Sequence, residues 1–142
     1  MRVTHIYELL QKVKVDLPLY TASISAGFPS PADDFIDTKL DLNEHLIRHP
    51  SATFFVRASG ESMIGAGIHS GDILIVDRSL EAANNVIVIA TLEGELTVKR
   101  FKKKNGRVFL LPENRIYKII EVTNNETFSI WGVVTYVIHK LE

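Results

Sequence analysis

Two residues in this sequence have the chemistry of a nucleophile and a base. Ser62 lies in a turn-like run, residues 59–63, and Lys99 lies in a strand-like run, residues 94–101. A serine hydroxyl is a weak nucleophile until a neighbouring base removes its proton. A lysine can act as that base only when it is neutral, and burial among apolar residues lowers its pKa from about 10.4. The apolar neighbours of Lys99 could provide such burial, so the pair is a candidate for Ser-Lys nucleophilic catalysis.

Both residues also have an ordinary structural interpretation. Alternation along a strand would turn Leu96 and Val98 inward and leave Lys99 in solvent. Ser62 stands among turn-forming residues. The histidines, which more often serve as the base, have no recognisable triad setting: His5, His45, His49, His69 and His139. The spacing of the serine and the lysine therefore leaves their role open.

A third segment could be a substrate. Ala26-Gly27 lies within residues 21–34, a run of small residues that also contains Pro29 and Pro31. Proline biases the residue before it toward extended backbone, which is the form that a protease cleft binds. An ordinary linker has the same composition, and composition by itself favours the linker.

Composition excludes several classes of protein. The 142 residues suit one domain with a hydrophobic core, since 46% are hydrophobic and 23% are charged. A formal net charge of −1 argues against a broad nucleic-acid-binding surface. The absence of cysteine excludes disulfides, thiol catalysis and cysteine-ligated zinc, and we expect no cofactor and no metal. No apolar run approaches the ~18 residues of a membrane span, so we predict a cytoplasmic protein without a membrane anchor.

The hydrophobic pattern predicts little helix. Residues 4–14 carry apolar side chains at helical spacing and predict one short helix. Residues 41–48 predict one or two further helical turns, with Asp41 or Asn43 as the cap.

The chain becomes β-rich from residue 53 onward. Asn105-Gly106 predicts a hairpin turn, and Gly132 predicts a bulge or bend within a strand. Closely spaced short strands indicate a compact, curled, mainly β body. The predicted strands are residues 53–58, 72–77, 86–92, 95–102, 107–111, 117–122 and 127–137.

An ordered set of motifs resembles the LexA/UmuD family of self-cleaving serine peptidases, and within it the UmuD-like proteins. The motifs that carry the resemblance are residues 59–63, 67–77 and 94–100, with further likeness in residues 26–32, 42–53 and 131–134. One departure is Asn84-Asn85, where the family often has a Gly-Asp pair. Asparagine tolerates the same left-handed turn geometry, so the departure leaves the predicted strand pairing intact.

The resemblance implies a role for each candidate residue. Ser62 matches the nucleophile and Lys99 the general base of a Ser-Lys serine endopeptidase. Ala26-Gly27 matches the bond that the protein cuts in its own chain. The backbone amides of Glu61 and Ser62 match the oxyanion hole.

The resemblance also implies an architecture. Residues 41–142 would form a Ser-Lys peptidase and dimerisation domain, a curled β-sheet body of the LexA/signal-peptidase type. Residues 1–40 would form a mobile N-terminal arm that carries the cleavage site, a linker and at most one short helix.

The implied function belongs to the SOS response to DNA damage. A RecA filament on single-stranded DNA would stimulate the self-cleavage as a co-protease. The processed homodimer would then join the catalytic subunit of a Y-family DNA polymerase (UmuC-like) and support error-prone translesion synthesis. No direct sequence-specific DNA binding is expected.

Two other functions remain as alternatives. A LexA-like transcriptional repressor would require a DNA-binding head of roughly three helices, whereas only residues 1–26 precede the expected cut. A non-enzymatic β-rich interaction module would require neither Ser62 nor Lys99. A cluster of basic residues at 100–107 could contact nucleic acid or a partner, but a solvated hairpin tip is the simpler interpretation.

Overall fold

The computed structural model describes residues 1–8, 17–20, 36–124 and 126–142. The chain forms two compact units: Met1–Leu9 together with His49–Glu142, and Leu10–Arg48. The division into an arm and a body at residue 40 is a functional one and stays a prediction. None of the helices in the described ranges has the length and apolar character that a membrane crossing needs.

The elements are mostly short strands, as the hydrophobic pattern predicts. One α-helix and two 3-10 helices, Pro50–Ala52 and Ile64–Ala66, accompany them in the described residues. The other elements are β1 Arg2–Glu8, β2 Leu17–Tyr20, β3 Ile36–Leu40, α1 Leu42–Leu46, β4 Thr53–Ser59, β5 Ile73–Asp77, β6 Ile87–Leu92, β7 Glu95–Lys104, β8 Arg107–Leu111, β9 Ile120–Val122 and β10 Phe128–Ile138.

The larger unit is an eight-stranded sheet that closes on itself. Its order is β1-β4-β5-β10-β6-β7-β8-β9, and each neighbouring pair is antiparallel. A further pairing joins β1 to β7, with Arg2 opposite Thr97. Six strands therefore form a ring, and β8 and β9 extend from it. The predicted curled, mainly β body is confirmed.

Apolar side chains cover both faces of this sheet. Successive strand residues point to opposite faces, and in β6 Ile89 joins one buried cluster while Val88 and Ala90 join the other. The first cluster contains Met1, Val56, Ala58, Met63, Ile68, Leu74, Val76, Ile89 and Val98. The second contains Val88, Ala90, Phe101, Leu110 and Val133.

The helix predicted for residues 4–14 is wrong in its described part. Residues 4–8 belong to β1, which pairs with β4 along its length, and residues 9–14 lie outside the described residues. A helix of 11 residues is marginal in water, whereas β1 obtains backbone partners from β4 and closes the ring. Tertiary pairing therefore overrides the helical spacing of the apolar residues.

The predicted turns are confirmed where local chemistry specifies them. Asn105 and Gly106 have φ of 51° and 75°, as a type I′ hairpin turn requires, and they join β7 to β8. Gly132 follows a register shift in β10, and a Cβ there would lie 2.5 Å from Val76 Cγ1. Asn85 has a left-handed φ of 72°, a conformation that asparagine tolerates.

Two elements are shorter than predicted. The helix α1 spans Leu42–Leu46, and Asp41 caps it by accepting a 3.1 Å hydrogen bond from the Asn43 amide. The strand predicted for residues 117–122 begins only at Ile120. In the smaller unit β2 and β3 pair antiparallel.

Candidate active site

Ser62 lies in a turn whose backbone is hydrogen-bonded to the backbone of Glu113. The turn follows β4 and leads into the 3-10 helix Ile64–Ala66. The Glu113 amide donates a 2.7 Å hydrogen bond to the Ser62 carbonyl, and the Gly65 amide donates one of 2.7 Å to the Glu113 carbonyl. A Cβ on Gly65 would lie 2.6 Å from that carbonyl oxygen, so only glycine allows this approach.

Lys99 reaches the serine from the middle of β7. Its Nζ donates hydrogen bonds of 3.1 Å to Ser62 Oγ, to Thr97 Oγ1 and to the Val98 carbonyl. Lys99 is 6% exposed and Ser62 is 1% exposed. The fold thus brings the two predicted catalytic residues into direct contact in a buried place.

Burial favours the neutral form of Lys99, the form that can accept a proton. The loss of hydration disfavours the ammonium and lowers the pKa of Lys99 from 10.5, while an interaction with the Met1 amino group acts in the opposite direction. A lysine must be neutral to accept a proton from serine. The direction of the shift is therefore the one that a general base requires.

The amino group of Met1 is a third member of the site, which the sequence did not indicate. It donates a 2.6 Å hydrogen bond to Ser62 Oγ. The Met1 carbonyl accepts hydrogen bonds from the Val98 amide at 2.9 Å and from Thr97 Oγ1 at 3.1 Å. Burial, followed by the effects of Lys99, lowers the pKa of the Met1 amino group from 8.0 to about 5. This shift favours the neutral amine, which lies in direct contact with the hydroxyl of Ser62.

Asn114 holds the peptide unit that precedes the serine. Its Nδ2 donates a 2.9 Å hydrogen bond to the Glu61 carbonyl. Because a peptide is planar, this bond also fixes the orientation of the Ser62 N–H, one of the two predicted oxyanion donors. Asn114 and Glu113 were not predicted as site residues, since nothing in their local sequence links them to the turn.

The predicted scissile bond is not among the described residues. Ala26 and Gly27 lie outside them, in the sequence between β2 and β3. Their role stays a prediction, as does the oxyanion role of the Glu61 and Ser62 amides.

The basic cluster at 100–107 is mostly solvated. Lys102, Lys103 and Lys104 are exposed at the β7–β8 hairpin. Arg100 pairs with Glu113, and Arg107 lies 3.6 Å from Glu121. The simpler interpretation, a solvated hairpin tip, agrees with this arrangement.

Comparison with known proteins places the chain in a family of β-rich serine peptidases. Residues 18–135 match the family described as Peptidase S24-like. The chain is 48% identical over 130 residues to Protein SamA of Salmonella typhimurium strain LT2, covering 92% of this chain and 90% of SamA. It is 47% identical over 121 residues to Protein MucA of Salmonella typhimurium, covering 84% of this chain and 82% of MucA. It is 40% identical over 131 residues to the LexA repressor of Shewanella piezotolerans, covering 92% of this chain and 63% of the repressor.

The chain belongs to the Peptidase S24-like family of self-cleaving serine peptidases. Within that family it is UmuD-like, which confirms the resemblance seen in the sequence.

Proposed function

We propose that Ser62 and Lys99 are the catalytic dyad with which this protein cuts its own chain between Ala26 and Gly27. The observation that carries the proposal is the 3.1 Å hydrogen bond between Lys99 Nζ and Ser62 Oγ in a buried setting. The lowered pKa of Lys99 and membership of a self-cleaving peptidase family support it.

The proposed reaction proceeds through an acyl-enzyme. Ser62 Oγ attacks the Ala26 carbonyl carbon while Lys99 Nζ takes the hydroxyl proton. The amides of Glu61 and Ser62 bind the developing oxyanion, a contribution typically worth about 3–4 kcal/mol for one donor. The C–N bond to Gly27 then breaks as Lys99 protonates the departing amine. Water attacks the ester, Lys99 takes its proton, and Ser62 regains its hydroxyl.

The Met1 amine must leave before this reaction can begin. Its nitrogen lies 2.6 Å from Ser62 Oγ, where the reacting amide would have to approach. In this proposal the contact between Met1 and Ser62 restrains premature cleavage. A co-protease would act by binding the open state preferentially, and a RecA filament on single-stranded DNA is the proposed one.

The biological role is SOS mutagenesis, as for UmuD-like members of the family. The proposed product begins at Gly27, forms a homodimer and joins a UmuC-like Y-family polymerase subunit in the cytoplasm. The long coverage of SamA and MucA supports this role.

The test is mass spectrometry of the intact chain after incubation with RecA, ATP and single-stranded DNA. The wild type should give a new N-terminus at Gly27, and Ser62→Ala and Lys99→Ala should remain full-length. Matched controls are Ser129→Ala and Lys102→Ala, which replace exposed residues of the same types and should cleave normally. An intact wild-type chain, or a cut at another position, would contradict the proposal.

A further inference from the structure

We propose that His69, Asp72 and His139 form a binding site for a divalent zinc-class ion, separate from the Ser-Lys dyad. Each residue offers one ligand atom, and the three atoms lie within 4.8 Å of one another. No metal was expected from the sequence, in which His139 is 67 residues away from Asp72.

The sheet register brings the distant histidine to the other two residues. In the β5–β10 pair Ile138 lies opposite Ile73, so His139 and Asp72 are the next residues along. The two side chains meet at 2.5 Å between His139 Nδ1 and Asp72 Oδ1.

A tight turn before β5 brings in the second histidine. The Asp72 amide donates a 3.1 Å hydrogen bond to the His69 carbonyl, and the His69 amide donates one of 2.7 Å to Asp72 Oδ2. His69 Nδ1 then lies 3.8 Å from Asp72 Oδ2, and the ring centroids of His69 and His139 are 4.5 Å apart. Three ligand groups therefore converge at one end of the β5–β10 strand pair.

The ligand chemistry is that of zinc and its neighbours rather than of magnesium. Two imidazole nitrogens and one carboxylate oxygen suit Zn²⁺, Ni²⁺ or Cu²⁺, whereas Mg²⁺ prefers oxygen ligands. The Asp72 side chain is 3% exposed, but those of His69 and His139 are 47% and 39% exposed. An ion can therefore enter from solvent, and three protein ligands leave a position for water.

Binding requires only small movements. A tetrahedral zinc ion with bonds of about 2.1 Å places its ligand atoms about 3.4 Å apart. The 2.5 Å contact of His139 with Asp72 must open, and the 3.8 Å separation of His69 from Asp72 must close slightly. Both imidazoles are partly exposed and can rotate, while the buried carboxylate stays fixed by the turn.

A second histidine–aspartate pair in the same unit provides an internal control. His49 Nδ1 lies 2.6 Å from Asp77 Oδ2, with side-chain exposures of 46% and 6%. Among the described residues this pair belongs to no cluster of three ligand groups. If an imidazole beside a buried carboxylate were enough to bind zinc, this pair would bind it as well.

Zinc titration of the untagged full-length chain, first treated with chelator, tests the proposal. Ser62→Ala serves as the background so that the chain stays intact. We expect calorimetry to give one saturable Zn²⁺ per chain, a rise in Tm with zinc, and no response to Mg²⁺. His139→Ala and Asp72→Asn should weaken zinc binding by at least about tenfold, whereas His49→Ala should bind as the parent does.

His69→Ala separates metal binding from folding. It leaves the Asp72–His139 pair in place, so the zinc-free Tm should change little, yet zinc affinity should fall by at least about tenfold. No saturable binding by the parent would overturn the proposal. Unchanged binding in His69→Ala, or loss of binding in His49→Ala, would overturn it as well.

Discussion

The fold sets the reactivity of Lys99 by removing water from its ammonium group. The pKa of Lys99 is lowered by burial, so the folded state holds fewer protons than the unfolded state between the two pKa values. Stability therefore rises with pH in that window, and the protein bears a cost for keeping a base at the site. Such a loss of stability is expected where burial shifts the pKa of a lysine that serves a function.

Self-cleavage without RecA should accelerate as the pH rises. The rate should follow deprotonation of Lys99 with an apparent pKa below about 10.4, because the neutral amine is the active form. Mass spectrometry of intact chain against time, from about pH 7 to about pH 10, measures it. Lys99→Arg should be inactive throughout because a guanidinium stays protonated, while Lys102→Arg should match the wild type. A rate independent of pH would contradict the role of Lys99.

Asn114 should be a positioning residue for the oxyanion hole. Asn114→Ala removes the hydrogen bond to the Glu61 carbonyl and loosens the peptide that carries the Ser62 N–H. We expect cleavage to slow by about tenfold to a hundredfold, less than the loss of a direct donor. The apparent pKa of the rate should not move, since Lys99 is untouched.

A structural role alone would show a different pattern. If Asn114→Ala slowed cleavage only in proportion to a lower Tm, the positioning role would be excluded. The control is Asn124→Ala, which replaces an exposed asparagine in a different loop.

At the scale of elements, β1 connects the fold to the active site. Its pairing with β4 and β7 closes the ring, and Met1, the residue before it, places its amine against Ser62 Oγ. A single strand therefore both stabilises the body and blocks the nucleophile.

A short extension before Met1 should release this restraint. Adding Gly-Ser converts the buried amine into an amide and adds chain where Met1 is only 7% exposed. We expect a lower Tm and faster RecA-independent cleavage, measured by thermal melting and mass spectrometry. The same extension after Glu142, at an exposed end, is the control. Unchanged melting and cleavage would show that the Met1 contact does not restrain the site.

At the scale of the whole molecule, Asp77 links acid stability to the fold. Burial alone would raise the pKa of Asp77, but hydrogen bonds from Ser79 and His49 outweigh it and hold the pKa below 3.8. The folded state thus binds the proton less tightly than the unfolded state. This stabilisation is present above the unfolded pKa of about 3.9 and is lost as the pH falls through the folded value.

Ser79→Ala should lower the free energy of unfolding at neutral pH by about 1.5–3 kcal/mol. The variant removes a 2.6 Å hydrogen bond to a buried carboxylate, and bonds to charged groups have that typical strength. Urea denaturation at neutral pH and at pH below about 4 measures the effect, and the difference from wild type should shrink in acid. Ser129→Ala is the exposed control. An equal loss at both pH values would assign the effect to packing instead.

Features that a few neighbouring residues specify can be predicted from the sequence. The Asn105-Gly106 hairpin, the Gly132 bulge and most strands were predicted, since turn geometry and alternation are local. The motifs around Ser62 and Lys99 were enough to indicate the family.

How those residues are used depends on contacts between distant parts of the chain. Alternation predicted a solvated Lys99, but β7 is covered on both faces, so Val98 and Lys99 are both buried. Helical spacing at the N-terminus gave way to pairing with β4, and this brought Met1 to Ser62. Burial, strand pairing and pKa depend on residues distant in the chain, and for that reason no local pattern could determine them.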